Sequence, residues 1–234
     1  MPRRVLLAWS SGKDSAWALN TLAHDPRTRL AGLLTTVNAS AQRVAMHGVR
    51  MELLRAQARA LDLPLWVVPL PWPCSNAVYE QQMAEAIARA RRCGITHIAF
   101  GDLFLEDVRA YRERQLSGTG VDPVFPLWGM DTAELAWTMV RAGIRAVLTC
   151  VDPCQMDPAS VGGEFDERFL RSLPAAVDPC GERGEFHTFC YAGPMFARPV
   201  PLVRGETVCR DGFWFADFRL ADAPAANGKS QRRN

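Results

Sequence analysis

The order of segments predicts an α/β protein: a mainly parallel, doubly wound sheet followed by a smaller C-terminal α+β domain. Three observations carry this. Apolar runs of strand length alternate with helix-periodic segments from the first residues onward. The joints carry the expected punctuation, with Pro71 and Pro73 after a strand, Ser75 or Asn76 as a helix cap, and Gly94 as a helix stop. Past residue 152 the rhythm breaks into short pieces separated by Gly and Pro, from Gly162-Gly163 to Pro199 and Pro201.

Taken in order, residues 5–9 form the first apolar run, and Ala16, Trp17, Leu19 and Leu22 resume with helical spacing after a small polar turn. Residues 30–37 read as a second strand that ends in Asn38-Ala39-Ser40, and 49–61 as a helix with Leu53, Leu54, Ala58 and Leu61 on one side. A third strand spans 65–70, a long helix 77–92, and a fourth strand 96–100, which runs straight into Gly101-Asp102. A helix over 105–116 and a short strand at 124–125 lead to the break Pro126-Leu127-Trp128-Gly129, where the first domain, 1–129, is expected to end. The second domain, 130–222, starts with a helix over 132–142 and a strand over 146–151, and has a short helix near 167–173. Asp211-Gly212, between strands at 206–208 and 213–220, is a hairpin signal. Residues 223–234 have the composition of a flexible polar tail.

Composition narrows the function. At 48% hydrophobic and 22% charged residues, the 234-residue chain can bury a full core. A net charge of +2 leaves no electrostatic footprint for nucleic acid or an anionic membrane, so neither is expected as a partner. No apolar segment approaches the roughly 20 residues of a membrane span, and the run after Arg3-Arg4 is too short for a signal peptide. The expected location is cytoplasmic. The seven cysteines include no Cys-x-x-Cys pair and the four histidines are scattered, which argues against a disulfide framework and a zinc site.

The densest chemistry lies at Trp9-Ser10-Ser11-Gly12-Lys13-Asp14-Ser15. A glycine-containing turn between a buried strand and a helix start aims backbone N–H groups outward at the positive end of the helix dipole. Three serine hydroxyls and the mobile charge of Lys13 add donors, and the whole suits a pyrophosphate. It is not the common triphosphate loop, because Leu7 stands where that pattern needs its first glycine and Asp14 where it needs Ser or Thr. A plain helix cap by Ser11 or Asp14 fits the same residues.

The second dense stretch is Asp178-Pro179-Cys180-Gly181-Glu182-Arg183-Gly184-Glu185-Phe186-His187-Thr188. If the chain is extended after Gly184, Glu185, His187 and Phe189 share one face, and Phe186 and Thr188 the other. The plainer alternative makes Phe186 core and Glu182 a solvated loop residue.

Ser-Ser-Gly-Lys-Asp-Ser at 10–15 resembles the Ser-Gly-Gly-x-Asp-Ser loop of the PP-loop ATP pyrophosphatases, with Ser11 in the place of the first glycine. A backbone conformation with positive φ would cost more at serine than at glycine. Together with Gly101-Asp102, Pro126-Leu127-Trp128 and the 178–188 run, the loop resembles the diphthine-ammonia ligase family of PP-loop enzymes, over nearly the whole chain up to about residue 220. The stretches 45–50 and 101–109 look like the family's bacterial branch.

The resemblance implies a PP-loop, HUP-like ATP-binding domain and a C-terminal domain carrying the Gly-Glu-x-Gly-Glu-Phe motif. It also implies amide formation through an acyl-adenylate, with release of AMP and pyrophosphate. Archaeal and eukaryotic members amidate diphthine; bacteria lack diphthamide, so the reaction class carries over better than the substrate. ATP and Mg²⁺ are the implied cofactors. Trp9, Ser10, Ser11, Gly12, Lys13, Asp14, Ser15, Thr35, Thr36, Val37 and Gly101 are the implied nucleotide-binding residues, with adenine across the ends of the first two strands. Asp14 and Asp102 are the implied metal ligands. Lys13, Asp14, Asp102, Arg112, Glu182, Glu185 and His187 form the implied catalytic set. In it Arg112 stabilises departing pyrophosphate or holds an acidic substrate, while Glu182, Glu185 and His187 hold ammonia and accept its proton.

His47 is a further candidate, and Cys180 is not expected to act as a nucleophile. The expected partners are a small-molecule or protein-borne carboxylate, ammonia or an amine, and a second copy of the chain in a homodimer. Two other classes stay open: a tRNA-modifying PP-loop enzyme and a non-enzymatic adenine nucleotide-binding protein.

Overall fold

A computed structural model of the chain describes residues 2–44 and 47–221. The tail expected at 223–234 lies outside the described residues, as do Ala45 and Met46 of the 45–50 stretch. β1 (Arg3–Ala8), β2 (Thr28–Asn38), β3 (Arg43–Val44), β4 (Leu65–Leu70), β5 (His97–Ala99) and β6 (Asp122–Val124) form the first sheet. The order β4-β2-β1-β5-β6 is parallel throughout, and β3 adds a two-residue antiparallel pair at the end of β2. The helices between these strands are α1 (Lys13–Ala23), α2 (Met51–Ala60), α3 (Asn76–Arg92) and α4 (Glu106–Leu116).

Alternation along β1 shows why both faces of this sheet are covered. Val5 and Leu7 point into a core shared with Leu19 and Leu22 of α1 and Leu53 and Leu54 of α2. Leu6 points the other way, into a core with Met83 and Ile87 of α3. Each fully buried leucine of this kind contributes about 1.5–3 kcal/mol. Prolines within strands sit on the edges: Pro69 in β4, which pairs only with β2, and Pro123 in β6, which pairs only with β5. Ser75 caps α3 by accepting from the Val78 N–H.

The remaining elements are α5 (Thr132–Arg141), β7 (Arg145–Val151), α6 (Glu167–Ser172), β8 (Phe186–Ala192), β9 (Leu202–Arg210) and β10 (Phe213–Leu220). The four strands form a second, antiparallel sheet in the order β8-β7-β10-β9. Asp211 and Gly212 both have positive φ, 52° and 84°, which is what a two-residue turn matching strand twist requires.

The core on the α1 and α2 face runs on into this second sheet through Leu148, Phe186 and Phe189. An ion-pair junction adds to it. Asp217 of β10 accepts from Arg43 at 2.9 Å and from Arg50 at 2.7 and 2.9 Å. Burial raises the Asp217 pKa, but the two arginines outweigh it and hold the carboxyl below its ordinary value. The start of α1 meets β8 directly, where the Lys13 N–H donates to Thr188 Oγ1. Among the described residues, no helix is long and apolar enough to cross a membrane.

Candidate functional site

The first chain segment of the site is the turn between β1 and α1. Gly12 is the N-cap of α1 and supplies no side-chain cap. Ser11 adopts φ 73°, the left-handed region that a glycine would enter freely, and its side chain is fully buried. Holding a serine there costs on the order of 1–3 kcal/mol, and the conformation persists because the surroundings over-determine it: the Ser11 carbonyl accepts from Gln57 Nε2 at 3.0 Å and from the Cys190 N–H at 2.8 Å. Gln57 is itself fully buried, donates to the Cys190 carbonyl at 2.6 Å and accepts from the Trp9 indole at 3.0 Å. Gln57 therefore ties the end of β1, the loop and β8 together.

Three segments converge on the turn. The Lys13 backbone N–H donates to Thr188 Oγ1 at 3.1 Å, and the Lys13 ammonium donates to the Cys180 carbonyl and to both Asp14 oxygens. The ammonium also stands 5.2 Å from the centres of the Phe165 and Phe186 rings. From the β5–α4 loop, Gly101 packs so closely that an added Cβ would lie 3.3 Å from the Asp14 carbonyl and the Ser15 nitrogen. Next to it, the Leu103 N–H donates to Glu182 Oε1 at 2.7 Å, which joins that loop to the C-terminal motif.

The motif has its own clamp. Glu185 is fully buried, and its two oxygens accept from the N–H groups of Asp178 and Arg183, both at 2.9 Å. Asp178 in turn accepts from the Cys180 N–H and from the Thr132 hydroxyl of α5. At Gly181, φ is 70° and a Cβ would meet the Phe186 carbonyl at 2.8 Å, so this turn needs glycine.

The charges are uneven. Burial pulls the Lys13 pKa down, but Asp14, with Cys180 and Glu182, together outweigh it, so the ammonium stays charged. Glu182 is pushed up to about 7, first by burial and then by Asp14 and Asp102. Asp102 is raised by burial despite Arg112, whose Nε lies 3.8 Å from Asp102 Oδ2. The His47 and His187 rings stand 4.5 Å apart. Burial lowers both, with His187 at about 4, so both imidazoles are neutral at pH 7. Burial also pushes the Cys180 thiol well above its ordinary value, which leaves it a poor nucleophile.

Several sequence expectations need correction. Lys13 is not a mobile charge: it is 1% exposed and tethered. The side chains of Trp9, Thr35 and Val37 are not free to line an adenine site. Trp9 and Val37 are buried core, and the Thr35 hydroxyl donates to the Trp9 carbonyl at 2.9 Å. Of that strand end, Thr36 is half-buried. Glu185 does not reach open space. Among the described residues no group of three or more His, Cys, Asp or Glu side chains could hold an ion, so Asp14 and Asp102 stand as a pair without a third protein ligand.

Ser10, Asp14, Gly101, Asp102, Arg112, Glu182, His47 and His187 are the half-buried groups that remain within reach of a ligand. Ser10 Oγ lies 3.2 Å from Ser15 Oγ at the start of α1; Ser15 is buried and donates to the Gly12 carbonyl at 3.0 Å, so Ser10 is the hydroxyl left for a ligand. A serine hydroxyl at a helix N-terminus fits a phosphate oxygen. Two carboxylates fit a Mg²⁺ that arrives on phosphates and keeps its waters.

No family model matches the chain. Among curated proteins it is 27% identical to the diphthine–ammonia ligase of Danio rerio over 124 residues, which are 51% of this chain and 49% of that protein. It is 25% identical to the diphthine–ammonia ligase of Rattus norvegicus over 127 residues, 52% of this chain and 48% of that one. For the diphthine–ammonia ligase of Homo sapiens the figures are 27% over 124 residues, 51% and 46%. The match spans about half the length of these curated relatives. By sequence, then, the chain is distantly similar to proteins named as ligases, through a stretch half its own length.

Proposed function

We propose that this chain is an ATP-dependent, AMP-forming ligase of the diphthine–ammonia ligase kind. A substrate carboxylate oxygen attacks the α phosphorus of ATP, the bond to the β-phosphate oxygen breaks, and pyrophosphate leaves. Ammonia or an amine then attacks the acyl carbon, AMP departs, and the surplus ammonium proton passes to a base. The chain's share of this work is positioning and charge neutralisation. The observation that carries the reading is the docking of the 180–188 motif onto the loop, through Lys13 with Cys180 and Thr188 and through Glu182 with Leu103.

In this reading Ser10 and the positive N-terminal end of α1 take the outer phosphates, and Lys13 works as a pin whose fixed charge favours them through space. Asp14 and Asp102 would hold Mg²⁺, which supplies neutralisation of phosphate charge. Glu182, near pH 7 in pKa, and the neutral His47 and His187 are suited to taking the ammonium proton. Residues 1–129 bind the nucleotide, and 130–222 bring Glu182 and His187 against it on the ammonia side.

A second reading, an adenine nucleotide-binding protein without turnover, is favoured by the tethering of Lys13, which keeps that cation from following the leaving phosphates. Incubation with labelled ATP, Mg²⁺, ammonium and pools of carboxylic acids separates the two. The ligase yields AMP and pyrophosphate with an acid present. Nucleotide binding with no AMP under any pool would overturn the ligase reading.

A further inference from the structure

Beside the site, the first turns of α3 and the body of α4 flank an open cleft of about 450 Å³, lined by Asn76, Tyr79, Glu80, Asp107, Tyr111 and Arg112. Its volume is in the range of small-molecule sites. Arg112 belongs to both places: it lines the pocket and it faces Asp102. At 3.8 Å that pair is too long for a hydrogen bond, and both Arg112 Nε and Asp102 Oδ2 are buried without a partner among the described residues. The guanidinium is held by the Phe100 ring, 5.0 Å from its centre, so it is fixed in place with donor capacity to spare. Tyr111 Oη accepts from Gln115 Nε2 at 3.5 Å, which leaves the phenol proton for an acceptor in the pocket.

We propose that this pocket takes the carboxylic acid that the ligase activates, with Arg112 as its carboxylate fork and Asn76, Tyr79 and Tyr111 around its tail. The inference rests on the ligase reading and adds the substrate class, a small monocarboxylate. The charge count sets that class. One guanidinium meets one carboxylate bidentately. The remaining charges on the walls of the cleft, the exposed Glu80 and Asp107, are acidic and repel a second negative group that reaches past the guanidinium.

The test reads binding without chemistry. Arg112 is labelled with phenylglyoxal, an arginine reagent, and modification is followed by peptide mass spectrometry with the neighbouring Arg109 as internal control. Butyrate, phenylacetate and 4-aminobutyrate are the monocarboxylate probes; succinate and inorganic phosphate are the multiply charged ones. At about ten times its dissociation constant a bound monocarboxylate slows labelling of Arg112 roughly tenfold and leaves Arg109 unchanged. Succinate and phosphate give no protection. In the exposed-rim double variant Glu80→Gln, Asp107→Asn, succinate gains protection.

Protection by none of the monocarboxylates, equal protection by succinate, or a rim variant with unchanged selectivity would each overturn the assignment. AMP release from ATP without protection of Arg112 overturns the pocket and spares the ligase. Protection without AMP release under any acid overturns the ligase and leaves a carboxylate-binding pocket.

Discussion

The ammonium group of Lys13, at the first residue of α1, donates to the backbone carbonyl of Cys180, 167 positions further along the chain. One contact thus ties the phosphate-loop candidate to the C-terminal motif, with Asp14 and two phenylalanine rings holding the same amine.

Removing that pin separates two roles. Lys13→Met leaves Asp14 and the Cys180 carbonyl without their partner. It should cost about 2–3 kcal/mol in urea unfolding, the low end for breaking a buried pair because Asp14 keeps some solvent. A lysine that served only bound phosphates would lose ATP turnover with no change in midpoint, and that result would contradict the pin.

Glu182 should leave a mark on the pH dependence of stability. Its folded pKa of about 7 lies above the ordinary 4.5, so the folded chain binds its proton more tightly than the unfolded chain. Stability from this group is present below pH 4.5 and is lost as pH rises through about 7. Against Glu182→Gln, the native chain should lose about 1–2 kcal/mol across that window, after screening of a half-buried group. His187 runs oppositely, losing stability as pH falls from 6.5 toward 4, which is why the difference between variant and native chain is the quantity to plot. A flat difference would place Glu182 in water.

Ser11 combines a left-handed backbone with a buried hydroxyl that has no partner among the described residues. Ser11→Gly relieves both and should raise stability by about 1 kcal/mol, part of the gain being offset by the entropy of an unfolded glycine. Ser11→Ala removes only the hydroxyl and should gain less. Equal midpoints for the two variants would mean that the backbone is not strained.

Gln57 offers the sharpest packing test. Gln57→Leu leaves the Trp9 indole N–H and the Ser11 and Cys190 carbonyls short of partners and should cost about 2–4 kcal/mol by urea unfolding. A loss under half that size would mean that water replaces the amide.

Local order was legible because local rules make it. Pro71 and Pro73 stop β4 at Leu70, Asp-Gly makes the β9–β10 turn, and alternation along β1 sorts Leu6 from Leu7. What escaped depends on contacts far apart in the chain. Lys13 reads as mobile until Cys180 and Thr188 are folded onto it, and Glu185 reads as a proton acceptor on the substrate side until Asp178 and Arg183 close their N–H groups on both oxygens. Trp9, Thr35 and Val37 sit at strand ends where ligands often bind, yet their side chains are spent inward. Gln57 was missed although it had a signal: it is a polar residue four positions after Leu53, on the apolar face of α2.

The most direct measurement is a crystal structure with Mg²⁺ and an ATP analogue that resists cleavage between the α and β phosphates. The outer phosphates are expected on Ser10 and the start of α1, Mg²⁺ between them and Asp14 or Asp102, and the α phosphate facing Glu182 and Arg112. A nucleotide bound away from residues 10–15, or one whose α phosphate faces away from Glu182, would contradict it.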